Sequence, residues 1–133
     1  MEILIIDGQG GRIGRALAEA VLENRPECGL SVIGTNAIAT ANMMKSGAKN
    51  AATGENPVVV MAKRADVIIG PIGIVIADAL MGEVTPKMAV AVGSSPAKKI
   101  LIPMNSRCDN VVVGVEELPV SELVKRAVAE IPV

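Results

Sequence analysis

The sequence of 133 residues contains no Phe, Tyr, Trp or His. These absences exclude much chemistry before any motif is considered. A Ser–His or Cys–His nucleophile pair cannot be built, nor can a Tyr general acid. Proton transfer near neutral pH would fall to a perturbed Lys, Cys, Asp or Glu. No aromatic platform exists on which nucleic-acid bases could stack. A net charge of −1 without a basic cluster further argues against nucleic acid as a partner. Metal binding has nothing to support it without His or a CxxC. Cys28 and Cys108 lie far apart, and no signal peptide is read because Asp7 follows too short an apolar run. Both cysteines therefore read as reduced thiols of a cytoplasmic protein. The longest apolar stretch, "VIIGPIGIVIADALMG", is too short and too interrupted by Gly, Pro and Asp78 to span a membrane.

What is present is aliphatic. Half the residues are hydrophobic, and seven Met help to fill a core that has no rings. Val, Ile, Ala and Gly dominate, as in α/β proteins whose strands are covered on both faces. The length suits one domain, residues 1–133, with a single fold.

Strands and helices alternate along the chain. "EILIID" reads as a central strand, continuous, β-branched and bounded by glycine. Arg12 to Asn24 reads as a helix with Ile13, Leu17 and Val21 on one stripe, stopped by Pro26 and Gly29. "LSVIG" is a second strand, and Thr35 or Asn36 caps a helix that ends near Gly47. "AATGEN" reads as a loop, followed by a short helix from Val58 to Arg64 with Asn56 as cap and Pro57 in its first turn. "ADVIIG" is a third strand. Ile74 to Leu80 reads as helix, because Asp78 suits a buried strand poorly. "TPKMAVAVGSS" is another capped helix. "KKILIPM" and "NVVVGV" read as two strands, and their short link makes the second an antiparallel edge. Ser121 to Glu130 closes the chain as an amphipathic helix. The expected architecture is a Rossmann-like α/β three-layer sandwich, with a mostly parallel sheet and one antiparallel edge strand.

In such folds ligands sit beyond the carboxyl ends of the parallel strands. Four loops fall there: Gly8–Gly14, Gly34–Asn36, Gly70–Gly73 and Pro103–Arg107. The first carries the strongest argument. Gly8 allows a tight turn, Gly10 and Gly11 let amides approach an anion, and the helix N-terminus adds partial positive charge. Gly14 allows close helix–strand contact. Started at Gly8, the pattern G-x-G-x-x-G meets Ile13 where its third glycine belongs, but G-x-x-G-x-x-G is complete at Gly8, Gly11 and Gly14.

That spacing, with "GRIGRAL", resembles the dinucleotide loop of dihydrodipicolinate reductases. The resemblance implies that Arg12 and Ile13 touch the cofactor while the Gly11 amide faces pyrophosphate. Over nearly its whole length the chain, through "DGQGGRIG", "GTNAIAT", "TGEN", "GPIGI", "GEVTPKMA" and "KKILIP", resembles a family of short uncharacterised bacterial proteins with a Rossmann-like fold. That second resemblance implies a fold and leaves the chemistry open.

The cofactor-binding candidates are accordingly Gly8, Gln9, Gly10, Gly11, Arg12, Ile13, Gly14, Thr35, Asn36, Gly70, Pro71 and Ile72, for NAD or NADP. An acidic residue usually ends the second strand to hold the NAD ribose. Thr35 and Asn36 stand there instead, which tilts the expectation toward NADP and makes Asn36→Asp a way back to NAD. The bland alternative is that Asn36 only caps a helix and the glycines only turn the chain. Asp7 reads better as an acceptor for loop amides than as a ligand group. "GPIGI" suits a flat ring, or equally fills core. Arg107 reads as a solvated arginine before an anion clamp, and Cys108 as a passive thiol, since no base is available to activate it. A homodimer is expected, with the apolar segment Ile72–Met81 as its face. Three functions stay open: an NAD(P)-dependent oxidoreductase or its cofactor subunit, a non-catalytic sensor of a nucleotide or phosphorylated metabolite, and a structural homo-oligomer without ligand.

Overall fold

A computed structural model describes residues 1–103 and 110–133. The β-branched run Glu2–Asp7 forms β1 at the centre of a five-stranded sheet, flanked by β2 (Gly29–Gly34) and β4 (Val67–Pro71). The outer strands are β3 (Asn50–Thr53) and β5 (Lys98–Ile102), giving the order β3-β2-β1-β4-β5. Every pairing is parallel, so β1 pairs Ile5 with Val32 on one side and with Ile69 on the other. Strand order reverses between β1 and β4, and the crevice of a doubly wound sheet opens at that reversal.

The period of two along β1 divides the core. Ile3 and Ile5 face helices α1 (Arg12–Asn24), α2 (Ala37–Met44) and α5 (Val120–Ala129), where Leu17, Val21, Met43 and Val124 complete an aliphatic layer. Leu4 and Ile6 face α3 (Glu55–Ala62) and α4 (Pro86–Gly93), against Val58, Met88 and Val92. Two helical layers thus enclose the sheet. Methionine fills gaps that rings fill elsewhere, and Met43 is fully buried. None of the helices among the described residues is long and apolar enough to cross a membrane.

Several expectations are corrected. The first three residues of "AATGEN" are not loop but belong with Asn50 to β3, which pairs Ser31 with Asn50 through Gly34 with Thr53. Ladder bonds to β2 outweigh the weak strand propensity of Ala51 and Ala52. Helix α3 begins at Glu55, capped by Gly54 at φ +101° rather than by Asn56. Pro57 is tolerated there because first-turn amides have no intrahelical acceptor. Ile74–Leu80 is not a helix: a 3-10 turn spans Ile72–Val75, and an irregular strap follows to Val84. "NVVVGV" forms no strand. Val111 and Val113 are 83% and 93% exposed, and β-propensity alone does not make a strand without a partner to pair with. The antiparallel edge is therefore not seen among the described residues. Of the segment Ile72–Met81 expected as an apolar face, Ile74, Ala79 and Leu80 pack inward on the molecule's own core, while Ala77, Asp78 and Met81 are exposed.

Candidate functional site

Asp7 ends β1 and organises the turn after it. Its Oδ1 accepts the Gly8 amide at 2.8 Å, and its Oδ2 accepts the Gly14 amide at 2.7 Å. The side chain thereby ties the strand end to the first turn of α1, as the loop-holding reading expected. Burial pushes its carboxyl above the usual range. The Gly14 and Gly8 amides pull it back, and the Glu83 charge adds to the upward push.

The glycines divide by role. Gly11 sits at φ +72°, and a Cβ there would lie 2.6 Å from the Ala39 carbonyl oxygen. Its amide donates to the Gly8 carbonyl at 2.9 Å. The expectation that this amide faces a phosphate is thus corrected: Gly11 closes a turn and lets α2 approach. Gly14 makes way for Met43 and for the Asp7 Cβ, which is the close helix–strand contact anticipated. Gly8 makes way for Thr35, Leu80 and Glu83. Gly10 meets nothing within 4 Å. Among the described residues, the amides of Gly10, Arg12 and Ile13 have no partner, as first-turn amides lack intrahelical acceptors. Arg12 is exposed, with no ion pair among the described residues, and Ile13 is half-buried against the first core layer.

The residue that sequence reasoning missed is Glu83. Its Oε1 accepts the Gln9 amide at 2.9 Å, the Thr35 hydroxyl at 2.7 Å and Asn36 Nδ2 at 2.7 Å. Burial raises this carboxyl, but the bonds from Thr35, Gln9 and Asn36 outweigh it and hold the group below its ordinary range. The three donors lie 47 to 74 residues away in sequence, so no local signal marks the contact. Asn36 does cap α2, its Oδ1 accepting the Ala39 amide at 2.9 Å. It also donates to the Gln9 carbonyl at 3.0 Å. The same loop is tied to α2 again where Asn42 Nδ2 donates to the Gly10 carbonyl at 2.9 Å.

A carboxylate therefore does stand at the end of β2, supplied from the far side of the crevice. The NADP expectation rested on Thr35 and Asn36 alone, and in this conformation both side chains are engaged by Glu83. The Glu83 carboxylate also reverses the expectation for Asn36→Asp, which would set a second carboxylate against the first.

Glu83 arrives on the strap, which doubles back on itself through Asp78 N–H to the Val84 carbonyl at 2.8 Å and Val84 N–H to the Ala79 carbonyl at 3.1 Å. Asp78, Leu80, Met81 and Gly82 all have positive φ. For Leu80 and Met81 that conformation costs roughly 1–2 kcal/mol each, against roughly 1.5–3 kcal/mol for a hydrogen bond to a charged group. The bonds to Glu83 and the packing of Leu80 hold the strap across the strand ends.

On the β4 side, Gly70 is buried, and a side chain there would strike the Ile6 carbonyl of β1. Pro71 is buried at the strand end, and Ile72 is half-buried at the start of the 3-10 turn. The structure thus brings Gly8–Gly14, Thr35, Asn36 and Pro71–Ile72 to one edge of the sheet. Asn105, Ser106, Arg107 and Cys108 lie outside the described residues. A separate groove between α1 and α5, lined by Asn24, Arg25, Lys125 and Val128 among others, opens at the opposite edge of the sheet.

The sequence matches the family described as "Domain of unknown function (DUF3842)" over residues 2–132. No curated protein matches it. A solved structure that is similar, with a TM-score of 0.51, is a dodecameric FMN-dependent UbiX-like decarboxylase from Escherichia coli O157:H7. The two are 17% identical, and the alignment covers 97% of this chain and 75% of that one. At that identity the likeness shows a shared fold, a helix-flanked parallel α/β sheet.

Proposed function

The chain belongs to the DUF3842 family, and from its geometry we propose that it is a nucleotide-binding domain whose ligand lies at the carboxyl edge of the sheet. One observation carries the proposal. At the switch between β1 and β4, the Gly10, Arg12 and Ile13 amides and the exposed Arg12 side chain all belong to the start of α1 and have no partners among the described residues. Amides at a helix start and an arginine are what a phosphate needs. Ile72, half-buried next to the buried Pro71, offers an apolar contact for a ring on the β4 side.

Within this proposal NAD or NADP is the finer assignment. The Gly10 turn suits the pyrophosphate, while Leu80 and Glu83 stand where the adenosine half would reach the end of β2. FMN enters as a further candidate because the similar decarboxylase is FMN-dependent, and it would need only the Gly10 and Pro71 sides. A homodimer and a cytoplasmic location remain part of the proposal, with sedimentation as the test of the first. The proposal concerns binding, and an oxidoreductase activity would be an addition to it.

A second reading has its own support. Asp7 takes the Gly8 and Gly14 amides and Glu83 takes that of Gln9, so much of the loop is satisfied internally. In that reading the glycines only turn the chain. Calorimetric titration with ADP, NADH, NADPH and FMN separates the two. Saturable binding that Arg12→Ala weakens at least tenfold, with an unchanged melting temperature, supports the nucleotide site. No heat with any of the four leaves the structural reading.

A further inference from the structure

The strap from Ile76 to Val84 crosses from the end of β4 to the end of β2, directly over Gly8. Leu80 and Glu83 are two of the three nearest groups a side chain on Gly8 would strike. Its two ends are anchored differently from its middle. Ile74 and Val84 are buried, and Thr85 caps α4 while donating to Glu55 Oε2 at 2.6 Å. Between them Met81 is 95% exposed, and four of the five residues from Asp78 to Gly82 hold left-handed backbone. A segment fixed at both ends, strained in its middle and latched by one carboxylate is the kind of element that a ligand can switch.

We infer that this strap is a self-supplied closure of the ligand site, with Glu83 as a built-in anion on the Gln9 amide that a phosphate-bearing ligand must displace. The inference rests on the nucleotide reading above and adds its regulation. The carboxylate draws together one backbone N–H, one hydroxyl and one amide from two different loops, as an incoming phosphate oxygen would. Like charge forbids both from sharing that pocket. Ligand binding is therefore coupled to strap release, and whatever weakens the latch raises affinity. The coupling also exposes Leu80, which now packs on the inner layer beneath the strap.

ADP serves as the probe, with backbone amide exchange and calorimetry as the readouts. Glu83→Gln keeps the shape and removes the charge, so it should bind ADP at least tenfold more tightly than wild type. In wild type, saturating ADP should speed exchange at Gly82, Glu83 and Val84, a readout that needs no variant to fold. Equal ADP affinity in both forms, with unchanged strap exchange, overturns the closure and leaves the nucleotide site standing. Weaker binding by Glu83→Gln also overturns it, and makes Glu83 part of the ligand's own seat. Binding by neither form, even where exchange shows the strap open in Glu83→Gln, rejects the site itself and the competition with it.

Discussion

Replacing Gly11 with alanine probes the turn that everything else at the site depends on. Two costs add. The left-handed backbone, at φ +72°, disfavours any side chain by roughly 1–2 kcal/mol. The new Cβ would also lie 2.6 Å from the Ala39 carbonyl oxygen and 2.7 Å from the Ala39 Cα, both backbone atoms that cannot swing aside. Forcing α2 outward is overpacking, worth roughly 1–3 kcal/mol. The sum, about 2–5 kcal/mol, lowers the melting temperature by about 6–25 °C for a chain of this size. Two companion variants separate the causes. Gly47→Ala has positive φ (+101°) but only an ordinary contact at 3.7 Å, so it should show the backbone cost alone. Gly10→Ala meets open space and should stay within about 0.5 kcal/mol of wild type. Differential scanning calorimetry and urea unfolding of all three read the result. A Gly11→Ala protein as stable as Gly10→Ala would refute the packing of α2 on this turn.

Asn36→Asp should destabilise by about 2 kcal/mol or more at pH 7, because it loses both Nδ2 bonds and sets a carboxylate against Glu83 Oε1. Chemical unfolding measures this, and a neutral effect would contradict the observed contact. Thr35→Val, which removes one donor to Glu83, should cost roughly 1–2 kcal/mol and raise the Glu83 carboxyl toward its ordinary range; carboxyl titration by NMR follows the shift. Glu83 is held low in the fold, so its stabilisation is full above its unfolded value of 4.5 and fades as pH falls through the lower folded value. Wild type and Glu83→Gln should therefore differ by a constant amount near neutrality and converge in acid, read from urea midpoints across pH. Asp7, raised by burial, works in the opposite sense as pH rises from 3.8, and it is present in both proteins.

Elements whose periodicity and boundaries are local could be read from the residues. β1, α1, β2, β4, α4 and α5 fall where apolar spacing, Thr85 and the glycines put them. Asp7 was legible as a loop holder because its partners, Gly8 and Gly14, lie in the glycine loop that directly follows it. What escaped depends on distant neighbours. β3 exists because β2 offers it a ladder, and its own Ala51–Ala52 pair carries little strand preference. Leu80 and Met81 hold left-handed backbone that neither residue type announces. Glu83 reaches partners 47 to 74 residues away, and an acid before a helix cap looks like any solvated turn. The misreading of "NVVVGV" has the converse cause, strong propensity with nothing to pair against.

The central claim is that a nucleotide sits on the Gly10–Ile13 turn. Amide NMR of the wild-type protein, titrated separately with ADP, NADH, NADPH and FMN, tests it residue by residue. The account predicts saturable shifts at the Gly10, Arg12 and Ile13 amides with at least one of these ligands, accompanied by shifts at Gln9 and Thr35 as the strap gives way. Titrations to millimolar concentration that leave the Gly10, Arg12 and Ile13 amides unmoved with all four would contradict it.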